Sequence, residues 1–255
     1  MSDEALSGKH AVVTGGGRGI GAAIARALVQ HGATVTLMGR DGARLESRAR
    51  QLAAQAVKVD IADADSVAAA FARATAAAGT VHILVNNAGA AASAPFIRTD
   101  LDLWKQMLEV NLTGTYLCCK QVLPSMLDGG FGRVVNIAST AGLTGYPYVT
   151  AYCAAKHGVV GLTRALALEA ARRNVTVNAV CPGYTETDLL GDAIANIVRT
   201  TGKNADEARA ALLSRNPQRR LVQPEEVANA ALWLCLPGAE AITGQAIAVA
   251  GGELL

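Results

Sequence analysis

The stretch HAVVTGGGRGIG, residues 10–21, decides the fold. A short β-branched run, His10–Thr14, stops at three consecutive glycines, and a helix-periodic segment starts at Ile20. Glycines allow a tight turn and let backbone N–H groups approach an anion. The N-terminus of the following helix adds partial positive charge. The spacing is Gly15-x3-Gly19-x-Gly21, not the Gly-x-Gly-x-x-Gly of the commoner dinucleotide fingerprint. At the head of a βαβ series this turn predicts a dinucleotide pyrophosphate site. Gly15, Gly17, Arg18, Gly19, Ile20 and Gly21 are expected to form it.

Outward from the turn, short apolar runs alternate with helical patterns. The predicted strands are His10–Thr14, Thr34–Met38, Ala56–Val59, His82–Val85, Arg133–Ala138, Val175–Val180 and Gln245–Val249. Nearly continuous apolar runs fit a parallel sheet covered by helices on both faces. The predicted helices are Ile20–His31, Gly42–Ala53, Asp63–Ala78, Leu101–Met126, Ala151–Arg173 and Pro224–Leu236, with Asp63 as a cap and Pro224 at a first helical position. The expected fold class is α/β: one Rossmann-type, doubly wound, parallel sheet of seven strands. No linker or repeat divides residues 1–255, which predicts a single domain. The stretch 189–216 holds two short helical pieces broken at Thr201-Gly202, and is expected to be a small helical lid over the site.

Composition narrows the function classes. Of 255 residues 51% are hydrophobic but only 4% aromatic, so the core must be aliphatic. A formal net charge of +2 gives no ground for a nucleic-acid or membrane-surface partner. The residues at 1–9 include Asp3 and Glu4 and lack the apolar core of a signal peptide, and no apolar run is long enough to span a bilayer. Cys118, Cys119, Cys153, Cys181 and Cys235 form no C-x-x-C pair, and are read as small buried hydrophobes in a reducing compartment. A cytoplasmic location is therefore expected. No His, Cys and Asp spacing suggests a metal.

At the end of the second strand an NAD-selective fold places an acid for the ribose 2′-OH. Here Gly39 and Arg40 stand instead, and Arg18 can point at the same region. Two guanidiniums suit a 2′-phosphate, so the expected cofactor is NADP(H). Asp41 could pair with Arg40 or cap the next helix. Asp60 and Ile61 are placed to meet an adenine ring, the acid at its amine and the apolar chain at its face. Asn87, Ala88 and Gly89 close the fourth strand and leave room for a cofactor.

Tyr152 and Lys156 stand at i and i+4 and share a helix face, and Ser139 lies at the carboxyl end of the fifth strand. Carbonyl reduction needs a proton donor for the developing alkoxide, a donor to polarise the carbonyl and a way to make the acid competent. Tyr152, Ser139 and Lys156 can supply these in that order. Lowering a tyrosine from about 10 to about 7 takes roughly 4 kcal/mol, for which the Lys156 ammonium and an oxidised nicotinamide are reasonable sources. His157 is turned about 100° from Lys156 on the helix and is read as structural.

These residues resemble the short-chain dehydrogenase/reductase family: TGGGRGIG at 14–21, Asp60, NNAG at 86–89, Asn111, Ser139, YCAAK at 152–156, and PG at 182–183 with Thr187. The resemblance implies that Tyr152 is the acid/base, that Lys156 holds the nicotinamide ribose and depresses the Tyr152 pKa, and that Ser139 orients the carbonyl. It implies that Asn111 binds a water in a proton relay, and that Pro182, Gly183, Thr185 and Thr187 face the nicotinamide. It also implies a homotetramer, or a dimer, pairing the helices at 101–126 and 151–173.

KHGVVGLTRALALE at 156–169, TVNAVCPGYTET at 176–187 and RRLVQPEEVA at 219–228 are similar to 3-oxoacyl and polyketide ketoreductases. Carrier-protein-dependent members often carry a basic run before the fifth strand, whereas LDGGFG at 127–132 stands here. That departure favours a CoA-type thioester or a free ketone. Leu143, Tyr146, Tyr184, Leu189 and Leu190, beside Ser139 and Tyr152, suggest a partly hydrophobic substrate pocket. The resulting expectation is an NADP(H)-dependent reductase of a 3-oxoacyl thioester or similar ketone. The alternatives are an alcohol, sugar or steroid dehydrogenase with the same machinery, or a catalytically silent NADP(H)-binding scaffold.

Overall fold

The computed structural model describes residues 4–254, apart from the side chains of residues 189, 192, 197 and 200. Seven strands form one parallel sheet in the order β3-β2-β1-β4-β5-β6-β7. They are β1 (His10–Thr14), β2 (Thr34–Gly39), β3 (Gln55–Lys58), β4 (Val81–Asn86), β5 (Gly132–Ile137), β6 (Val175–Pro182) and β7 (Ala246–Val249). The sheet grows one way from β1 to β3 and the other way from β4 to β7. The switch point between β1 and β4 opens a crevice beyond the strands' carboxyl ends.

Alternate residues of one strand feed opposite faces. Val13, Leu37, Ile83, Val85 and Val135 join one core cluster with Ile24 and Leu28 of α1 (Gly19–Gln30) and Val227 and Ala231 of α9 (Pro224–Trp233). Val12, Met38, Leu84, Val134 and Val177 join the other with Phe71 of α3 (Ala64–Ala78) and Val122 of α5 (Gly114–Gly129). This two-sided burial is why the strands read as unbroken apolar runs. Asp63 caps α3, accepting from Asp65 and Ser66, and Pro224 opens α9.

The segment expected to be one helix over 101–126 is not uniform. It comprises α4 (Leu101–Leu108), a π turn at Glu109–Thr113, and α5. Wide turns of this kind insert a residue without disturbing the apolar faces on either side, so periodicity does not reveal them. Gly114 marks the junction: a Cβ there would lie 2.9 Å from Ile61 Cδ1. The remaining helices are α2 (Gly42–Leu52), α6 (Thr150–Ala170), α7 (Asp188–Thr201) and α8 (Ala205–Leu213). α7 and α8 form the 189–216 excursion. They part at Gly202, whose φ is +71°, and α8 restarts with an Asn204/Glu207 capping box.

A buried polar chain fixes α6 on the sheet. Asn86 Nδ2 donates to Asn136 Oδ1 (2.9 Å), Asn136 Nδ2 to Thr163 Oγ1 (2.9 Å), and Thr163 Oγ1 to the Val159 carbonyl (2.8 Å). This chain sets the height of the helix that carries Tyr152 and Lys156. His10 is buried far from the crevice, bonded to Thr36 Oγ1 and the Gly79 carbonyl, and burial lowers its pKa. Among the described residues no helix is long and apolar enough to cross a membrane, and no acid, His or Cys cluster could hold a metal.

Candidate active site

The glycine turn follows β1 directly and is held against β2, where Gly15 N–H donates to the Met38 carbonyl (2.7 Å). Gly15 has φ +65°, and a Cβ on it would lie 2.7 Å from Asn87 Nδ2. A Cβ on Gly21 would meet the Gly15 carbonyl and lie 2.5 Å from the same amide. Asn87 is thus the keystone of the turn. Its Nδ2 donates to the Thr14 and Gly15 carbonyls at 3.0 and 3.3 Å. Thr14 completes the joint, its Oγ1 accepting from the N–H groups of Asn87 and Ala88 at 3.0 Å each. Asn87 and Thr14 together lock the turn to the loop after β4.

The α1 N-terminus has Arg18 at its cap with no side-chain cap hydrogen bond, and no acid in its first turn. Free helical N–H groups behind a turn that admits no Cβ form an anion cradle, so the residues fit a pyrophosphate. Arg40 lies at the end of β2 on an open groove of about 400 Å³, shared with Asp60, Ala62 and α4. Asp41 serves α2, its Oδ1 accepting from Arg44 N–H at 3.1 Å. Arg44 adds a third guanidinium: its side chain borders Gly17, and its Nη1 lies 3.6 Å from Asp188 Oδ2. Arg18 Nη1 meets the same carboxylate at 2.9 Å. Sequence reading left out Arg44, although a cap at Asp41 places it in the first turn of α2.

Asp60 is exposed at the end of β3, with Oδ1 on Ala62 N–H. Ile61 is turned inward, 7% exposed, within the core cluster beside α3 and α5. Little of it is left to cover a ring face. Ala88 and Gly89 continue from Asn87. A Cβ on Gly89 would lie 2.8 Å from Asn111 Oδ1 and 3.8 Å from Lys156 Nζ, so these two groups flank Gly89. Asn111 sits in the π turn and is buried. Its Oδ1 accepts from Ala90 N–H (3.2 Å), and its Nδ2 donates to the Ala90 and Met107 carbonyls (2.9 and 3.0 Å). The side chain expected to hold a water thus positions the loop after β4.

Ser139 follows β5, with Oγ accepting from Ala141 N–H (3.1 Å). The Tyr152 hydroxyl lies near enough to Ser139 for that side chain to favour the phenolate, yet burial prevails and pushes Tyr152 up to about 12. Lys156 is 5% exposed, and burial lowers its pKa to about 8. Its Nζ donates to the Ile137 carbonyl (2.8 Å) and stands 5.6 Å from the centre of the Tyr152 ring. The expected depression of Tyr152 by Lys156 is therefore not seen in the structure. Desolvation outweighs an ammonium that is turned to a backbone carbonyl. Cys181 lies close by with its thiol pushed up to about 11 by burial, which keeps it protonated and unreactive.

Pro182 ends β6 and is buried. Thr185 Oγ1 donates to the Gly183 carbonyl (3.0 Å), and Thr187 begins α7 with its Cγ2 3.1 Å from where a Gly19 Cβ would lie. The 189–216 excursion thus follows a residue that lies directly over the glycine turn. Leu143 is half-buried and Leu190 buried, while the side chain of Leu189 lies outside the described residues. Tyr146 is more polar than an apolar wall requires. Its hydroxyl is 2.8 Å from Thr140 Oγ1 and 2.5 Å from Glu253 Oε1, and its ring meets Tyr184 edge-on. Glu253 and Arg215, which stacks 4.4 Å over Tyr146, were not legible because no local pattern links the 214–219 turn or the chain end to 140–146.

The protein-family model described as enoyl-(acyl carrier protein) reductase matches residues 15–253. A 3-oxoacyl-(acyl-carrier-protein) reductase of Aquifex aeolicus is 39% identical over 253 residues, 97% of this chain and 98% of that one. A cis-4-hydroxycyclohexanecarboxylate dehydrogenase of Sinomonas cyclohexanicum is 39% identical over 98% of both chains. Among solved structures, an actinorhodin polyketide ketoreductase variant with NADPH is 39% identical, covers 99% of each chain and superposes with a TM-score of 0.94.

Proposed function

The chain belongs to the short-chain dehydrogenase/reductase family, and from that premise we propose an NADP(H)-dependent reductase that interconverts a ketone and a secondary alcohol. The substrate is a 3-oxoacyl thioester of the CoA type or a similar ketone. The observation that carries this reading is the buried Lys156 one helical turn from Tyr152, its Nζ 5.6 Å from the centre of the Tyr152 ring, with Ser139 close enough to act on the phenol. Bound NADPH supplies a hydride. The Ser139 hydroxyl donates to the substrate oxygen and fixes the carbonyl. Tyr152 O–H gives its proton to that oxygen as negative charge develops there. Lys156 Nζ, on the Ile137 carbonyl in the structure, would hold the nicotinamide ribose and keeps positive charge beside Tyr152. Asn111, by fixing the loop at Gly89 and Ala90, keeps the relay aligned. Gly15, Gly17, Gly19, Ile20 and Gly21 would hold the pyrophosphate, Arg18 and Arg40 the 2′-phosphate, Asp60 the adenine, and Thr187 the carboxamide.

We assign the whole chain to one catalytic unit with 189–216 as its lid. Exposed Leu101, Tyr116 and Leu168 on α4, α5 and α6 support the homotetramer, or dimer, that the resemblance implies. Free, mostly buried cysteines support a reducing, cytoplasmic setting.

Replacing Tyr152 by Phe tests the reading. Ketone-dependent loss of 340 nm absorbance should disappear while NADPH still binds; undiminished turnover would refute the role of Tyr152. A second reading, an alcohol dehydrogenase, is favoured by the likeness to the hydroxycyclohexanecarboxylate enzyme. Both cofactor forms against a panel of oxoacyl-CoAs, cyclic ketones and sugars separate the two.

A further inference from the structure

One cation lies outside the machinery assigned above. Arg215, between α8 and α9, stacks its guanidinium 4.4 Å from the centre of the Tyr146 ring. Its nearest hydrogen bond is a long one, Nη1 to the Gly145 carbonyl at 3.4 Å. Among the described residues it forms no salt bridge. Arg220, a few residues on, shows the contrast: it grips Glu226 with two hydrogen bonds of 2.6 Å.

Arg215 is tied to the reaction centre by a short series of side chains. Ser139 is followed by Thr140, whose hydroxyl is 2.8 Å from the Tyr146 hydroxyl. Tyr146 meets Tyr184 at 85° with ring centres 6.4 Å apart. Tyr184 is near enough to Tyr152 to raise its pKa, and near enough to Arg215 for the guanidinium to lower its own. The Tyr146 ring thus stands between Thr140, next to Ser139, and the Arg215 guanidinium stacked on it, with Tyr184 packed edge-on beside it. A guanidinium stacked on a ring keeps its N–H edge directed outward and pre-ordered for a planar oxyanion.

Among the described residues Glu253, bonded to the same Tyr146 side chain, forms no salt bridge with Arg215. Its Oε1 is taken by the Tyr146 hydroxyl, and its Oε2 abuts Gly183 on the nicotinamide side.

We infer that Arg215 binds an oxyanion at the far end of the ketone substrate and is a specificity-determining residue for anionic over neutral ketones. The inference rests on the ketone-reductase reading above. The oxyanion is either a carboxylate on the substrate or a phosphate on a CoA arm, and two matched pairs distinguish these sources.

The test compares wild type, Arg215→Gln and Arg215→Lys on 4-oxocyclohexanecarboxylate and its methyl ester, and on acetoacetyl-CoA and its N-acetylcysteamine thioester. The readout is the ratio of kcat/KM within each pair. One exposed charge-assisted contact should give a fall of about tenfold in Arg215→Gln, which is about 1.4 kcal/mol. Arg215→Lys, which keeps the charge without the stack, should lose less. A fall in the first pair identifies the carboxylate, and a fall in the second the phosphate. Ratios within twofold of wild type in both pairs overturn the inference, including the case where both members of a pair fall together.

Calorimetry of 4-oxocyclohexanecarboxylate and of CoA on the NADP⁺-loaded enzyme gives a readout without turnover. If no ketone is reduced but Arg215→Gln still weakens either ligand, the reductase reading fails and the oxyanion site stands. If binding is absent or unaffected there as well, both fail.

Discussion

Arg18 Nη1 lies 2.9 Å from Asp188 Oδ2, so the first turn of α1 is tied to the first turn of α7. Arg44 approaches the same carboxylate at 3.6 Å. Asp188 therefore occupies the Arg18 and Arg44 guanidiniums, the former expected at the NADP(H) 2′-phosphate, and the phosphate must displace it. Both side chains are more than half exposed, so the pair contributes at most about 1 kcal/mol. Asp188→Asn should tighten NADPH binding by roughly two- to fivefold and leave NADH almost unchanged. Fluorescence titration with both cofactors reads this, and equal shifts for the two would break the link to the 2′-phosphate.

Arg40 differs from Arg18 in having no acid within salt-bridge distance among the described residues. It is free for the phosphate without a prior exchange. Arg40→Ala should lower kcat/KM for NADPH by about tenfold or more, as loss of a charge-assisted contact does, with a smaller effect for NADH. Steady-state kinetics at saturating ketone measure it, and a retained NADPH preference would move the selectivity to Arg18 and Arg44.

The glycine turn makes a sharper demand. A Cβ on Gly21 would strike the Gly15 carbonyl and the Asn87 amide, neither of which can move without opening the joint at Thr14. Gly21→Ala should cost about 1–3 kcal/mol, lowering Tm by roughly 3–10 °C, and weaken NADPH binding as the turn shifts. Gly42→Ala is the control, since a Cβ there meets nothing within 4 Å. Thermal scans should show Gly42→Ala at or slightly above wild type, and equal behaviour of the two variants would remove the steric argument.

The sheet was legible because burial on both faces leaves nearly unbroken apolar runs, and each of the seven predicted strands is present to within a residue or two. Tyr152 and Lys156 were legible for a local reason, since a helix sets their spacing. What stayed hidden depends on distance. The π turn at 109–113 leaves the apolar pattern on either side in phase, so 101–126 reads as one helix. Ile61 looks available to a ligand until α5 places Gly114 against it. Asp188, Arg215 and Glu253 acquire their meaning from partners 170, about 70 and 107 positions away, and no local periodicity encodes such pairings.

Lys156 connects stability and activity through a single proton. Its folded pKa of about 8 lies below the ordinary 10.5, because burial disfavours the ammonium. Below pH 8 the amine is charged in both folded and unfolded chains, and the folded state bears the full desolvation cost, roughly 3 kcal/mol. Between 8 and 10.5 the unfolded chain binds more protons than the folded one, so this cost is progressively relieved, and above 10.5 it is gone. Lys156→Met should therefore raise Tm at pH 7 by roughly 4–8 °C, after allowing about 1 kcal/mol for the lost bond to Ile137. The gain should shrink through the window from 8 to 10.5. Activity should run the other way. Tyr152, held near 12, stays protonated through this range, so the alkaline limb of kcat/KM reports Lys156 and should fall above about pH 8. Lys156→Arg, which keeps its charge, should move that limb upward. A limb left at pH 8 in Lys156→Arg would assign it to another group, and a Lys156→Met variant no more stable than wild type at pH 7 would show that the buried ammonium carries no such cost.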